Sequence, residues 1–192
     1  MRTAVKLCKR EGLEWLAITD HNTIKGAKML ALNNQPKIII GEEITTKEGL
    51  EIIGLFLTEE IKPYMSVEET IEKIKEQGGV TYIPHPFDRL RNYKFEPEKK
   101  LLKKIDIIEV FNSRVVFHSD NIRAFIYAKS VGKVFGAGSD AHTPFEIGNC
   151  FIEIENFNSE KEFLRNLKKG KIVGRKTTPF IHLITKAIKM LR

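Results

Sequence analysis

Short apolar runs recur along this chain, and each ends in acid, amide or imidazole side chains. Leu16-Ala17-Ile18-Thr19 leads into Asp20-His21, and Ile38-Ile39-Ile40 into Gly41-Glu42-Glu43. Val80-Thr81-Tyr82-Ile83 leads into Pro84-His85-Pro86, Ile105-Asp106-Ile107-Ile108 into Glu109-Val110-Phe111-Asn112, and Val134 to Ala137 into Gly138-Ser139-Asp140-Ala141-His142. Runs this short and nearly unbroken predict strands buried on both faces. Helical patterns lie between them: an opening helix that stops at Gly12, then Thr23 to Leu32, Glu98 to Lys104 and Ser119 to Ser130. Val67, Thr70, Ile71 and Ile74 have helical spacing behind Ser66 and Glu69, a capping-box pair, and Gly78-Gly79 ends that helix. A Lys47-Glu48-Gly49 turn separates strand Lys37 to Gly41 from strand Leu50 to Leu57. Alternation of strand and helix predicts an α/β fold with parallel strands joined by right-handed crossovers.

From Phe151 the rhythm changes. Phe151 to Glu155 alternates, Ser159 to Leu167 reads as a capped helix, Gly170 to Gly174 as a turn or short strand, and Pro179 to Leu191 as an amphipathic helix. This tail carries no ligand cluster and reads as a packing or lid element. No internal repeat or low-complexity linker interrupts the chain.

Composition narrows the picture only modestly. With 192 residues, 42% of them hydrophobic, the chain can bury one substantial core. The net charge of +7 comes from dispersed lysines, such as Lys99-Lys100 and Lys168-Lys169, rather than one basic block. A solvated, charge-rich surface is the first reading of that excess, and attraction to polyanions the second. Cys8 and Cys150 stand alone, so neither a disulfide framework nor a thiolate zinc site is indicated, and a reducing cytoplasm fits. No apolar run approaches the roughly 20 residues that span a bilayer, so no membrane association is expected.

The candidate chemistry lies at the strand ends. In a closed parallel barrel the carboxyl ends of all strands converge on one face. Asp20, His21, Glu42, Glu43, His85, Asp88, Glu109, Asn112, Asp140 and His142 would then meet, and divalent cations are the simplest compensation for so many carboxylates. Imidazole and carboxylate donors without thiolate point to zinc, manganese or iron. Such ions clamp a phosphate and lower the pKa of a bridging water, which leads to phosphoester hydrolysis. Arg89, Arg91 and Arg114 follow the same strand ends, and a guanidinium matches two phosphate oxygens; the alternative for each is a surface pair with a neighbouring acid. Glu51 is the one charged residue in an apolar stretch, read as a further ligand or as a solvent contact at a strand edge. His118 and His182 are assigned to helices away from the strand ends.

Taken in order, Thr19-Asp20-His21, Gly41-Glu42-Glu43, Pro84-His85-Pro86, Glu109 to Asn112 and Gly138 to His142 resemble the PHP superfamily, the polymerase and histidinol phosphatase domains. The resemblance covers nearly the whole chain and is to small stand-alone phosphoesterases with a PHP-associated segment. It implies a distorted PHP-type (β/α)7 barrel over residues 1–150, here missing its first strand, with residues 151–192 packing on it. His21, Glu43, His85, Asp140 and His142 are implied as metal ligands, with Asp20 supporting them. Glu51 stands where relatives often carry a histidine, and Asn112 where some supply another ligand. Relatives open with a strand bearing H-x-H; here Met1 already lies in the helix that follows, so a missing amino-terminal segment is expected. With that strand present, two or three manganese, zinc or iron ions would be bound.

The leading expectation is a metal-dependent phosphoesterase acting on a phosphomonoester such as a nucleotide, a nucleoside 3',5'-bisphosphate or an RNA 5' end. Asp20, Arg89 and Arg114 would act in catalysis, and Asn112 and Arg91 in substrate binding. Its partners are then phosphorylated small molecules or short nucleic acid, with no oligomeric state specified. The alternative is a catalytically inactive or truncated PHP-like module that binds nucleotide, nucleic acid or a protein. A barrel enzyme acting on carbon–nitrogen bonds would call for a lysine or further histidine ligands.

Overall fold

The computed structural model describes residues 2–32, 36–91, 95, 97 and 99–178, with only the backbone of Arg2 and Ala4. The helix expected over 179–191, and His182 within it, lie outside the described residues.

The chain opens with α1 (Arg2–Arg10), which breaks at Gly12 in a left-handed conformation (φ +69°) that glycine adopts without strain. There follow β1 (Trp15–Ile18), α2 (Lys25–Ala31), β2 (Lys37–Thr45) and β3 (Glu51–Leu55). Next comes α3 (Val67–Glu76), which begins with the capping box read from the sequence. Ser66 Oγ accepts from the Glu69 N–H at 3.2 Å, and the Glu69 carboxylate accepts from the Ser66 N–H at 2.9 Å. After β4 (Val80–Ile83) and α4 (Lys99–Lys104) come β5 (Ile107–Asn112), α5 (His118–Ser130) and β6 (Val134–Gly138). A 3-10 turn (Pro144–Glu146) then leads to β7 (Cys150–Glu153), α6 (Glu160–Leu167) and β8 (Lys171–Gly174).

Six strands form one sheet in sequence order, β1-β2-β3-β4-β5-β6. The sheet is curled and open, a half-barrel that matches a distorted (β/α)7 barrel short of a strand. Both of its faces are buried. On one, Ile44, Ile52, Ile83 and Ile108 pack with Ile71 and Ile74 of α3. On the other, Ile53, Tyr82 and Ile107 pack with Phe157, Phe163 and Leu167. Phe157, Phe163 and Leu167 thus cover this inner face of the sheet, and β7 and β8 form a separate antiparallel pair. Residues bracketed by hydrocarbon on both sides explain why these strands read as continuous apolar runs rather than alternating ones.

The expectation of uniformly parallel strands needs one correction. β1 with β2, β4 with β5 and β5 with β6 are parallel, but β3 is antiparallel to both neighbours. The cause is the short Lys47-Glu48-Gly49 turn, where Gly49 (φ +81°) reverses the chain: so few residues close a hairpin but cannot make a crossover. Pairing with β3 also carries β2 through Thr45, four residues beyond the expected end at Gly41. Glu42 and Glu43 are therefore strand residues, not loop residues. No helix among the described residues is long and apolar enough to cross a membrane.

Candidate metal centre

Strand periodicity separates two adjacent glutamates. Glu43 shares a face with Ile39, while Glu42 shares the opposite one with Ile44. Because β3 runs backwards, its first residue, Glu51, pairs with Thr45 and its third, Ile53, with Glu43. Glu51 therefore stands beside Glu43 on the inner face, at the same end of the sheet as the carboxyl ends of the parallel strands. His21 forms a parallel bridge to Glu43, fixed by the Asn22 N–H on Glu43 O at 3.0 Å and the Glu43 N–H on Asp20 O at 3.1 Å.

These placements bring imidazoles and carboxylates together. His21 Nδ1 lies 3.5 Å from Glu43 and 3.6 Å from Glu51, and His85 Nε2 lies 3.2 Å from Glu43 and 3.7 Å from Glu51. One donor atom from each of His21, Glu43 and Glu51 falls within 4.8 Å of the others, so the three can coordinate one divalent ion. Two largely buried carboxylates with nitrogen neighbours and no thiolate fit such an ion. Burial pulls the Glu43 carboxyl upward, but His85, His21 and Arg91 outweigh it and hold the group below its ordinary range. Glu51 goes the other way: burial and then the charge of Glu43 raise it. Burial would lower His85, yet its hydrogen bond to Glu43 raises it overall. Glu43 and His85 thus stabilise each other's charged forms, while burial and the charge of Glu43 work against ionised Glu51.

Backbone strain collects here. Asn22, His85 and Asp140 have φ of +55°, +28° and +49°, a left-handed region that costs a non-glycine residue about 1–3 kcal/mol.

On β5 a register shift between Glu109 and Phe111 turns Asn112 back onto Glu109, whose Oε2 accepts from Asn112 Nδ2 at 2.9 Å. That carboxylate also accepts from the His85 N–H at 2.7 Å and from Tyr82 Oη at 2.8 Å, and burial raises it to about 7. β6 gives it room, since a Cβ at Gly138 would sit 2.9 Å from Glu109 Oε1. Asn112 Nδ2 reaches Asp140 Oδ2 at 3.4 Å, and His142 Nδ1 lies 3.4 Å from Asp140 Oδ1. The rings of His21 and His142 are 6.2 Å apart, so this second set closes on the first.

The arginines behave differently from one another. Arg91 reaches Glu51 at 2.8 Å and Asp140 at 3.6 Å. Arg114 is buried against Glu146 at 2.5 Å, and Glu146 in turn accepts from the backbone of His142 and Thr143 at 3.1 and 2.8 Å. Both arginines line a cavity of about 230 Å³ with Asp88, Leu90, Val116, Asp140 and His142. Arg89 points elsewhere, holding Asp120 at 2.6 Å and covering the Phe117 ring at 4.5 Å. Asp20 is exposed, its carboxylate lying over Gly26 of α2, and only its backbone carbonyl touches the cluster. His118 opens α5 at the surface.

Tyr82 and Glu146 were not singled out from sequence. Glu146 carried a signal, the capping-box spacing Thr143-Pro144-Phe145-Glu146, which the structure forms. Tyr82 looked like any other strand aromatic.

The comparisons with known proteins follow this geometry. A family model described as PHP-associated matches residues 118–172. The chain is 40% identical to uncharacterized protein MJ0417 of Methanocaldococcus jannaschii over 79% of its own length and 65% of that protein's. It is 46% identical to uncharacterized protein MJ1587 of the same organism over 63% of this chain and 69% of that one. The chain thus spans about two thirds of the curated relatives it matches. Among solved structures it is similar to PsfC of Pseudomonas syringae, with a TM-score of 0.73 and 14% identity over 98% of this chain and 88% of that one. A protein of Bifidobacterium adolescentis described as a candidate metal-dependent phosphoesterase gives 0.60 and 16% over 74% and 82%. Endonuclease Q, bound to a 27-mer duplex with an abasic lesion at its active site, gives 0.64 and 18% over 93% and 55%. At these identities the solved structures speak for the fold. The chain has a PHP-superfamily fold, carries a PHP-associated region over residues 118–172, and holds part of a metal-binding site.

Proposed function

We propose that this protein hydrolyses a phosphomonoester with divalent manganese, zinc or iron. Its substrate would be a nucleotide, a nucleoside 3',5'-bisphosphate or an RNA 5' end. The observation that carries the reading is the His21–Glu43–Glu51 cluster beside a cavity lined by Arg91 and Arg114. His21, Glu43, Glu51 and His85 hold the first ion, and Asp140 and His142 supply donors to a further one. When bound, such ions acidify a coordinated water and withdraw charge from phosphoryl oxygens. Arg91 and Arg114 receive the phosphate in the cavity, and Asn112 orients Asp140 from behind. Asp20 supports Glu43 through its carbonyl, and Arg89 ties the loop after β4 to the start of α5 by gripping Asp120. The likeness to a candidate phosphoesterase and to an endonuclease supports a phosphate ester as substrate.

A purely binding module is disfavoured by the cluster itself, an active-site-like set of donors beside an arginine-lined cavity. Phosphate release from adenosine 3',5'-bisphosphate and from an aryl phosphate tests the proposal. Turnover with manganese that Glu43→Gln abolishes is the expected result. Absence of turnover with manganese, zinc and iron alike overturns it.

A further inference from the structure

Arg91 stands where the two ligand sets face each other. Its Nη1 lies 2.8 Å from Glu51 Oε2, its Nη2 3.6 Å from Asp140 Oδ2, and its Nε 3.6 Å from Asp88 Oδ2. The two main carboxylates divide their oxygens in the same way. Glu51 turns Oε1 toward His21 at 3.6 Å and Oε2 toward Arg91. Asp140 turns Oδ1 toward His142 at 3.4 Å and Oδ2 toward Arg91. Each set therefore offers one oxygen to a histidine and the other to the same guanidinium, Glu51 Oε2 lying 3.7 Å from His85 Nε2 as well.

A charge that bridges oxygens of two imidazole–carboxylate sets occupies the position a second divalent ion takes in a two-metal site, where the ions sit about 3.5–4 Å apart. Guanidinium can fill it permanently, since it keeps its charge at every working pH and presents several donors in one plane. It also blocks it: a divalent ion and a guanidinium between the same oxygens repel each other.

We propose that Arg91 is a built-in cation occupying the bridging position between Glu51 and Asp140. The protein then holds one divalent ion tightly, at His21, Glu43 and Glu51, and takes a second, at Asp140 and His142, only when Arg91 is drawn away. The inference rests on the metal-centre reading above and deepens it by setting the number of ions. Its regulatory consequence comes from the cavity, which Arg91 lines with Arg114. An oxyanion bound there competes with Glu51 and Asp140 for the guanidinium, so anion binding and uptake of the second ion are coupled.

Counting metal on the purified protein tests this without any substrate. After equilibrium dialysis against manganese, elemental analysis of the wild type is expected to give one ion per chain, Arg91→Met two, and Arg91→Lys one. Two ions on the wild type, or no gain in Arg91→Met, overturns the proposal. Should Arg91→Met fail to fold, electron paramagnetic resonance of the wild type titrated with manganese decides. An isolated-ion spectrum that becomes a coupled pair only when inorganic phosphate is added supports the bridge. A coupled pair without phosphate, or no pair with it, overturns it. Absence of turnover in a protein that gives the expected counts would instead overturn the hydrolytic reading and leave Arg91's role standing.

Discussion

The two halves of the ligand edge are built differently. On the β2–β3–β4 side, Glu43 and Glu51 are strand residues held in register by a sheet ladder, and His21 is bridged to Glu43 through its backbone. On the β5–β6 side, Asp140 and His142 lie beyond the end of their strand. They depend on side chains, namely Asn112 on Asp140 and the buried Arg114–Glu146 pair beneath the His142 backbone. A ladder places donors cooperatively over many residues, whereas a side-chain network fails when one member is lost. The first half should therefore anchor a metal, and the second should adjust to it.

The sharpest way to break this contrast is Arg114→Met. It leaves the Glu146 carboxylate buried without its cation, held only by hydrogen bonds from His142 and Thr143, and removal of one partner of such a pair costs about 3–5 kcal/mol. Denaturant unfolding reads the loss. The contrast further requires that metal affinity at His21, Glu43 and Glu51 survive in whatever fraction remains folded. Equal collapse of both would mean that the halves are not separate.

A carboxylate outside both halves serves as a control. Glu42 lies beside Glu43 in sequence but faces hydrocarbon; its Oε2 accepts from the Ile61 N–H at 2.9 Å, and Oε1 is buried without a partner. Burial raises it from its ordinary 4.5 to about 7. The folded state thus binds this proton more tightly than the unfolded chain. Its contribution to stability is complete below about pH 4.5 and is lost as pH rises through about 7. At about 1.4 kcal/mol per unit, the loss between pH 4.5 and 8 reaches about 3 kcal/mol. Unfolding of metal-free protein at both pH values should show that Glu42→Gln lessens the slope, to which Glu109, also raised to about 7, contributes as well, while Glu43→Gln does not lessen it.

Glu43→Gln comes next. It takes a charged donor from the anchoring half, and manganese affinity by calorimetry should fall at least about 100-fold, equivalent to about 2.7 kcal/mol.

Much of this arrangement was legible before any coordinates. Residues such as Ile83 and Ile108 are buried on both sides, so their strands announce themselves as apolar runs, and the ligands follow where the runs stop. The Ser66 cap was legible because its partner, Glu69, is three residues away. What escaped depends on partners far along the chain. Arg89 and Arg91 look alike in sequence, yet Asp120 captures one and Glu51 and Asp140 the other. Glu51 was legible as the one charge in an apolar stretch, but its place beside Glu43 needed the reversal of β3, which no side-chain pattern within that strand records. Glu109 was visible at a strand end. Its setting was not, because that needs a bulge on β5, a glycine on β6 and a tyrosine on β4.

Asp140→Asn carries the smallest expected effect and tests the adjusting half directly. The substitution keeps the size of the side chain and an oxygen toward His142, but removes the charge that attracts Arg91. If β5–β6 only tunes the metal held by β2 and β3, manganese affinity should fall about 10-fold, at the lower end of what loss of a supporting partner costs. A loss as large as that of Glu43→Gln would make the halves equal and undo the contrast. No loss would mean that Asp140 does not act on the metal held by β2 and β3, whereas a guanidinium released from Asp140 onto Glu51 would repel that ion and deepen the loss. The double substitution Asp140→Asn with Arg91→Met separates these outcomes. Only where Arg91 has turned onto Glu51 should removing the guanidinium restore affinity that the single change lost.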